Sequence, residues 1–480
     1  MTCSLLTKVL PVAASAVLLV PAVAQAQGGP TTAELADQLN VVWVMLAASL
    51  VLFMQAGFLL LEVGFSRQKN AGAGVAKILV NLSIASVVWW AIGFGLAFGG
   101  DGWFAGTSGF FYEFGQSYKS YAADATSGLA TGGTAAFFVF QFMFAAVSLA
   151  IVWGTTLERI KFIAYPIFAV VFTAFIYPVV AHWGFGGGLF ADIGGGVQDF
   201  AGSTVVHLTG ATAALAALLL LGPRKGKFGP DGKARAIPGH NMPLFGLGVI
   251  VLWLGWFGFN GGSTLGTADN RFAEVVLVTN LGAAGGVIGA SLLVCLLTRK
   301  LDVGMSGNGA IAGLVAITAP SGYVEFWAAP IIGLIGGFIV VLGVYGFERI
   351  RLDDPVGALS AHGLAGIWGT LACGLFASPR LVEYIGVGDP GLFYSGSLKQ
   401  VGVQAAGVAI AFTFVLVTSL ATFGAIKVLF GLRVSDQDEI AGLDISEHGM
   451  YGYPEQFIPE SELVGYGPID ATLSESEVTA

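Results

Sequence analysis

Charge is what this chain has least of: 11% of its 480 residues are Asp, Glu, Lys or Arg, against 55% hydrophobic residues and a mean hydropathy of +0.79. A soluble domain carries about a quarter charged residues, so a water-exposed fold of this size is excluded. Cysteine is nearly missing as well. Of the three, Cys3 lies in the N-terminal stretch, while Cys295 and Cys373 sit in apolar runs where they act as small hydrophobes. That rules out a disulfide framework, and no Cys, His or acid spacing fits a metal centre, so neither metal nor cofactor is expected. Bases are absent from the C-terminal end: eleven of the 30 acids lie beyond Val434 with no Lys or Arg among them, leaving 19 acids against 21 bases elsewhere. The net charge of -9 thus describes a solvated acidic tail over 434–480, and nothing suggests a nucleic-acid partner.

What the chain does have is apolar length. Unbroken runs of around twenty residues are the helical solution to backbone hydrogen bonding in a bilayer, whereas outer-membrane barrels use short alternating segments. Seventy-one glycines fit this reading, because small residues let membrane helices approach closely. Lys8, the apolar stretch Val9–Val23 and the triplet Ala24, Gln25, Ala26 form a signal-peptide pattern over 1–26, with a retained first helix as the alternative. Spans are expected near 39–63, 75–98, 134–156, 162–181, 201–222, 242–262, 272–298, 304–320, 326–347, 360–378 and 400–430. The fold class is therefore an all-α integral membrane protein of eleven helices, with a transmembrane domain over 27–433. An outside N-terminus and an odd number of crossings put the tail inside. Arg67, Lys69, Lys77, Arg159, Arg224, Arg349 and Arg433, among others, fall at the ends this assigns to the cytoplasm, against Lys119, Arg271, Arg380 and Lys399 outside.

Two segments share one pattern, Asp-x-x-Gly-x-x-x-x-His: Asp199 to His207, and Asp354 to His362. Each opens a span, the first entered from outside and the second from the cytoplasm. This arrangement gives two inverted five-helix repeats with a peripheral eleventh helix, and such designs place their site between the halves near the midplane. Eight residues at about 1.5 Å each carry either His roughly 12 Å into a core about 30 Å thick, so the imidazoles come close to meeting. A chance match remains open in a Gly-rich chain. His207 and His362 are, however, the only histidines inside these spans, with His182, His240 and His448 at an end, in a loop and in the tail.

Ionisable groups inside a membrane are costly and point to function, although one His can also be a hydrogen bond between packed helices. Two adjacent imidazoles in a dry passage share at most one proton at neutral pH, and can donate, accept and relay it. A small cation cannot be stripped of water in an apolar conduit without compensation. Aromatic faces with a hydroxyl acceptor at the entrance could hold it, after which a neutral amine could cross. Phe140 and Phe144 lie one helical turn apart, and Trp256, Phe259 and Ser263 punctuate the run WFGFNGGS. Taken alone, each aromatic reads first as core packing. Asp199 likewise reads as a helix cap that also places negative potential near an outer mouth, with Asp354 as its counterpart on the tenth helix.

The run DFAGSTVVHLTGA from Asp199 to Ala211 closely resembles the signature of the Amt/Mep/Rh ammonium transporter family, and WFGFNGGS from Trp256 to Ser263 is similar to another of its motifs. LERI (Leu157–Ile160), DDPVGALSAHGLAGIWG (Asp353–Gly369) and the tail GLRVSDQDEIAGLDISEHG (Gly431–Gly449) also look like family blocks, so the resemblance covers nearly the whole mature chain. It implies a bacterial Amt-type transporter of ammonium and methylammonium in the inner membrane, a homotrimer with one pore per subunit, and a cytoplasmic PII-type regulatory partner. By motif position it implies Asp199 as the carboxylate near the recruitment site, His207 and His362 as twin pore histidines, and Ser263 as the hydroxyl of that site. It implies Phe144 as aromatic wall and lower gate paired with Phe259, and Phe140 as the outer stacked phenylalanine.

Where relatives carry an indole in an AHxxWGGG-like segment, this chain has AHWGFGGG from Ala181 to Gly188. Aligning the glycines puts Phe185 at that wall; a short deletion puts Trp183 there. Gly357 also replaces an Asp that some members have. Two rivals stay open, a neutral gas channel of the Rh type and an ammonium sensor coupled to a partner. An intramembrane enzyme is disfavoured, since no nucleophile–base set accompanies the histidines.

Overall fold

A computed structural model describes residues 31–113 and 132–456. The expected signal peptide and the tail beyond 456 lie outside these residues. The chain divides into two units, Met1–Leu39 and Asn40–Ala480, and the second contains the helix bundle and both histidine motifs.

Among the described residues eleven apolar helices run in order: α1 (Thr32–Phe65), α2 (Gln68–Phe98), α3 (Gly133–Thr156), α4 (Ala164–Asp192), α5 (Ser203–Leu221), α6 (Met242–Gly262), α7 (Ala268–Thr298), α8 (Val303–Thr318), α9 (Ala328–Arg349), α10 (Leu359–Phe376) and α11 (Lys399–Leu429). Ten are long and apolar enough to cross a membrane, and α8 is a shorter apolar helix. Only isolated bridges, such as Ile160 with Arg433, represent β structure among the described residues. The ends obey local chemistry. Asn241 caps α6 by accepting from Leu244 N at 2.9 Å, and Asp302 caps α8 through Met305 N at 2.9 Å.

Small residues bring α7, α8 and α9 into close contact. A methyl at Gly313 on α8 would lie 2.5 Å from the Gly282 carbonyl on α7, and one at Gly309 would lie 2.6 Å from that of Gly286. Larger side chains there would force the helices apart, which accounts for part of the glycine content.

The repeat is legible in space. Asp199 and Asp354 stand at opposite ends of the bundle, and α5 and α10 run in opposite directions toward one another. Both begin with a π-helical turn, Ser203–Leu208 and Leu359–Leu364, containing the histidine; such turns recur at functional positions. The glycine of each motif, Gly202 (φ +115°) and Gly357 (φ +76°), occupies the left-handed region that a side chain disfavours.

Two expectations are corrected and one holds. His182 stands in the last turn of the helical stretch Tyr177–Phe185, before Gly186, at the helix end expected for it. Its ring nitrogens bind the carbonyls of Ala97, at 2.8 Å, and Gly102, a structural role. Lys77 lies inside α2 rather than at its end, whereas Arg159 and Arg224 follow the ends of α3 and α5 as expected; all three are buried and ion-paired. Burying a charge in protein requires a partner that the charge tally could not see. The second correction concerns the tail, whose described part is docked, not solvated. Glu439 and Asp444 are each 1% exposed. Glu439 accepts from Lys225 N and Arg433 Nη2, both at 2.6 Å, and Asp444 accepts from Ala73 N at 2.8 Å near the start of α2. Glu447 accepts from Phe162 N at 2.9 Å. These carboxylates are spent on stranded backbone amides and bases of the body, which composition alone cannot reveal.

Candidate functional site

Asp199 organises the start of α5. Its Oδ1 accepts from Gly202 N (2.9 Å) and Ser203 N (2.7 Å), and its Oδ2 accepts from Thr204 N and Val205 N, both at 2.9 Å. Four amides that would otherwise be orphaned are thus satisfied by one carboxylate. Asp354 does the same for α10, accepting from Val356 N, Gly357 N and Leu359 N at 3.3, 3.0 and 2.7 Å. Ser203 and Thr204 then tie α5 to its neighbours: Ser203 Oγ donates to Val315 O (2.7 Å), and the Thr204 and Thr370 hydroxyls share a hydrogen bond of 2.6 Å.

Eight residues on from each Asp, the histidines meet. His207 Nδ1 and His362 Nδ1 lie 3.2 Å apart, with ring centroids at 5.3 Å and planes 20° from parallel. His207 is fully buried and His362 is 5% exposed. His207 also stacks on Trp256 at 5.0 Å and 16°, and the Trp256 indole is fixed by donation to Thr318 Oγ1 at 2.9 Å. His207 Nε2 is buried with no hydrogen-bond partner.

Next to His207, at 5.4 Å, stands Phe259, stacked on Phe144 with centroids 4.0 Å apart and planes 7° from parallel. Phe140 packs on Phe144 at 4.7 Å in a tilted arrangement of 53°. The stacked pair is therefore Phe144–Phe259, with Phe140 beside it. Beyond the stack opens a cavity of about 400 Å³ bordered by Phe140, Phe144, Phe185, Asp199 and Ser263, with Gln141 also in its wall. Ser263 Oγ donates to Phe259 O at 2.8 Å, leaving its lone pairs as acceptors. Gln141 Oε1 is a buried acceptor with no partner.

Of the two candidates for the third aromatic wall, Phe185 lines this cavity, 6.3 Å from Phe144. Trp183 is turned away: its indole donates to Phe104 O at 2.9 Å, and its ring packs on Phe414 at 5.0 Å. One helical step of about 100° per residue separates these positions by some 200°, so only one of them can face the cavity.

On the other side of the histidine pair lies a cavity of about 20 Å³. Beside it the tail face carries a buried ionic cluster. Asp353 accepts from Arg224 N, Nε and Nη2 at 2.8, 2.9 and 2.9 Å, and its carbonyl accepts from Arg159 Nη2 at 2.8 Å. Burial alone pushes the Asp353 carboxyl up, but the Arg224 hydrogen bonds and the Arg159 and Arg224 charges override it and hold it at about 2. Glu158 accepts from Arg67 N and Nε at 2.6 Å.

Gln141 and Glu62 were missed by sequence reasoning. Each stands inside an apolar span, and a polar side chain at that depth was the available signal.

The model of the Ammonium Transporter Family matches residues 42–453. The chain is 42% identical over 458 residues to the ammonium transporter Amt2 of Archaeoglobus fulgidus, covering 92% of this chain and 95% of that protein. It is 34% identical to the ammonium transporter of Bacillus subtilis, over 86% of this chain and 98% of the other. Among solved structures, a sensor Amt protein superposes with a TM-score of 0.77 at 35% identity, covering 86% and 99% of the two chains. Candida albicans Mep2 does so with 0.75 at 29% identity, covering 91% and 94%. A bundle of membrane-length helices, an inverted repeat and near full-length relatedness lead to one conclusion: this multi-pass membrane protein belongs to the ammonium transporter family.

Proposed function

We propose that the chain recruits ammonium in the vestibule at Asp199 and passes ammonia, with its proton relayed separately, along the His207–His362 pair. The observation that carries this reading is the 3.2 Å approach of two buried imidazoles directly behind a stacked phenylalanine pair. Ammonium is almost wholly protonated at neutral pH. The faces of Phe140, Phe144 and Phe185, with the Ser263 and Gln141 oxygens, offer a partly dehydrated cation both π-faces and acceptors. Asp199 adds negative potential without a direct contact, because its oxygens are taken by amides. Phe144 and Phe259 close the passage and must part for each molecule. Beyond them the apolar lining favours ammonia over any ion, and the imidazoles supply the hydrogen bonds that ammonia would otherwise lose.

The vestibule faces the outside and the tail face the cytoplasm, consistent with the basic residues Arg67, Lys69, Arg159, Arg224 and Arg433 around the docked tail. Assembly as a homotrimer in the inner membrane and a PII-type partner at the tail face complete the proposal. A sensing role alongside transport has one observation in its favour, the likeness to a protein described as a sensor Amt.

The test is purified protein in liposomes. Ammonium or methylammonium should evoke a current or an internal pH change, and His207→Ala should lose or alter it. An inert parent chain would remove the transport reading.

A further inference from the structure

Glu62 and Lys77 form a buried ion pair between α1 and α2, 2% and 1% exposed at the side chain. Lys77 lies nine residues into α2, about 13 Å along the helix at 1.5 Å per residue. Neither residue has a part in the mechanism above. An ion pair at this depth costs desolvation that a pair of apolar side chains would avoid, so stability alone gives no reason for it.

Its placement supplies one. Glu62 Oε2 faces Lys77 Nζ, whereas Oε1 points toward Gly154, where an added methyl would lie 3.3 Å from it. The missing side chain leaves that oxygen open to the cavity of about 20 Å³ behind the histidines, which Glu62, Gly154, Asn308 and His362 all line. A volume of about 10–15 Å³ admits one water, and a water needs two to four polar partners. Glu62, Asn308 and His362 provide them. Phe58, one turn before Glu62 on α1, packs against His362 with centroids 6.3 Å apart, so the same helix face carries both groups to the ring. His362 uses Nδ1 toward His207, which leaves Nε2 as its other proton-carrying atom.

We propose that Glu62, held by Lys77, is a third proton station of the conduction path, taking a proton from His362 through water and giving it to ammonia as it leaves on the tail side. This rests on the transport reading above. The steps balance. Ammonium gives a proton to the histidine pair and becomes ammonia; the imidazolium N–H breaks as Glu62 carboxylate gains the proton. The ammonia lone pair then takes it, regenerating carboxylate and ammonium. One positive charge crosses per ammonia. Lys77 balances the carboxylate charge between cycles, and its own charge, unpaired while Glu62 is protonated, drives the proton on.

The test uses the full chain in liposomes, reading ammonium-evoked current and ammonia permeation in parallel. Because Glu62→Gln alone strands a buried lysine, the informative variant is the double change Glu62→Gln with Lys77→Met, whose melting temperature is checked against the parent. Current should fall by about tenfold or more, within the usual worth of a positioned proton-transfer group, while ammonia permeation stays near the parent. Gly154→Ala, which alters no charge but crowds the carboxylate and Val356, should slow the current severalfold. A double variant that keeps the parental current, pH profile and solvent isotope effect would make the pair structural and overturn the proposal. So would a parent that passes ammonia without current. A parent that passes neither overturns the transport reading itself.

Discussion

The two sides of the histidine pair are built from one motif and have become unlike. At the vestibule, Asp199 holds four amides beside an aromatic cavity of about 400 Å³, and no ion pair to it occurs among the described residues. At the tail face, Asp354 holds three amides, but its neighbour Asp353 is locked to Arg224 and Arg159, and the adjoining cavity is about 20 Å³ with the Glu62–Lys77 pair in its wall. The repeat therefore sets helix geometry and the place of each histidine along its helix. Neighbouring residues outside the repeat make the two sides differ, and on the proposed reading the wide aromatic cavity takes the incoming cation and the narrow ionic side exchanges the proton on departure.

The sharpest break of this comparison is removal of each carboxylate. Asp199→Ala should abolish ammonium flux in liposomes, because the vestibule loses both its fold and its potential. Asp354→Ala should leave flux per folded molecule near the parent, and each change should cost about 1–3 kcal/mol of stability for stranded amides. Equal flux losses would mean the two ends do one job.

Next in size is the ionic cluster. Arg224→Ala leaves buried Asp353 with only the longer Arg159 contact and should cost about 3 kcal/mol in detergent melts, without changing the half-saturating ammonium concentration. The same pair predicts an acid response. Asp353 titrates at about 2 in the folded protein against an ordinary 3.8, so its contribution of about 2 kcal/mol is complete above pH ~4 and lost as pH falls toward ~2. In Arg224→Ala that acid-sensitive part of the stability should be gone; an unchanged profile would assign it to other carboxylates.

The smallest effect separates the aromatic walls. Phe185→Ala should weaken recruitment by about 0.5–2 kcal/mol, a rise of roughly two- to thirtyfold in half-saturating ammonium. Trp183→Ala should lower the melting temperature instead, since its ring packs on Phe414 away from the cavity. The reverse pattern would return Trp183 to the site.

Span number and positions were legible from apolar run length, since a bilayer demands helices of one length. The meeting of His207 and His362 was legible from the spacing in two mirrored motifs, a local quantity multiplied by helical rise. The place of Lys77 inside α2 was not, because the partner that lets it be buried there, Glu62, lies on another segment.

Sequence by itself determined the membrane class, the helix order, the inverted repeat and the place of each histidine along its helix, because each depends on properties read along one segment. Tertiary structure alone decided that Phe185 rather than Trp183 lines the cavity at Asp199, that Glu439 and Asp444 dock the tail, and that Glu62 finds Lys77 beside the smaller cavity at His362. Those outcomes depend on which faces of distant segments meet, and a buried charge or aromatic takes its role from the neighbour it meets, not from its place in the chain.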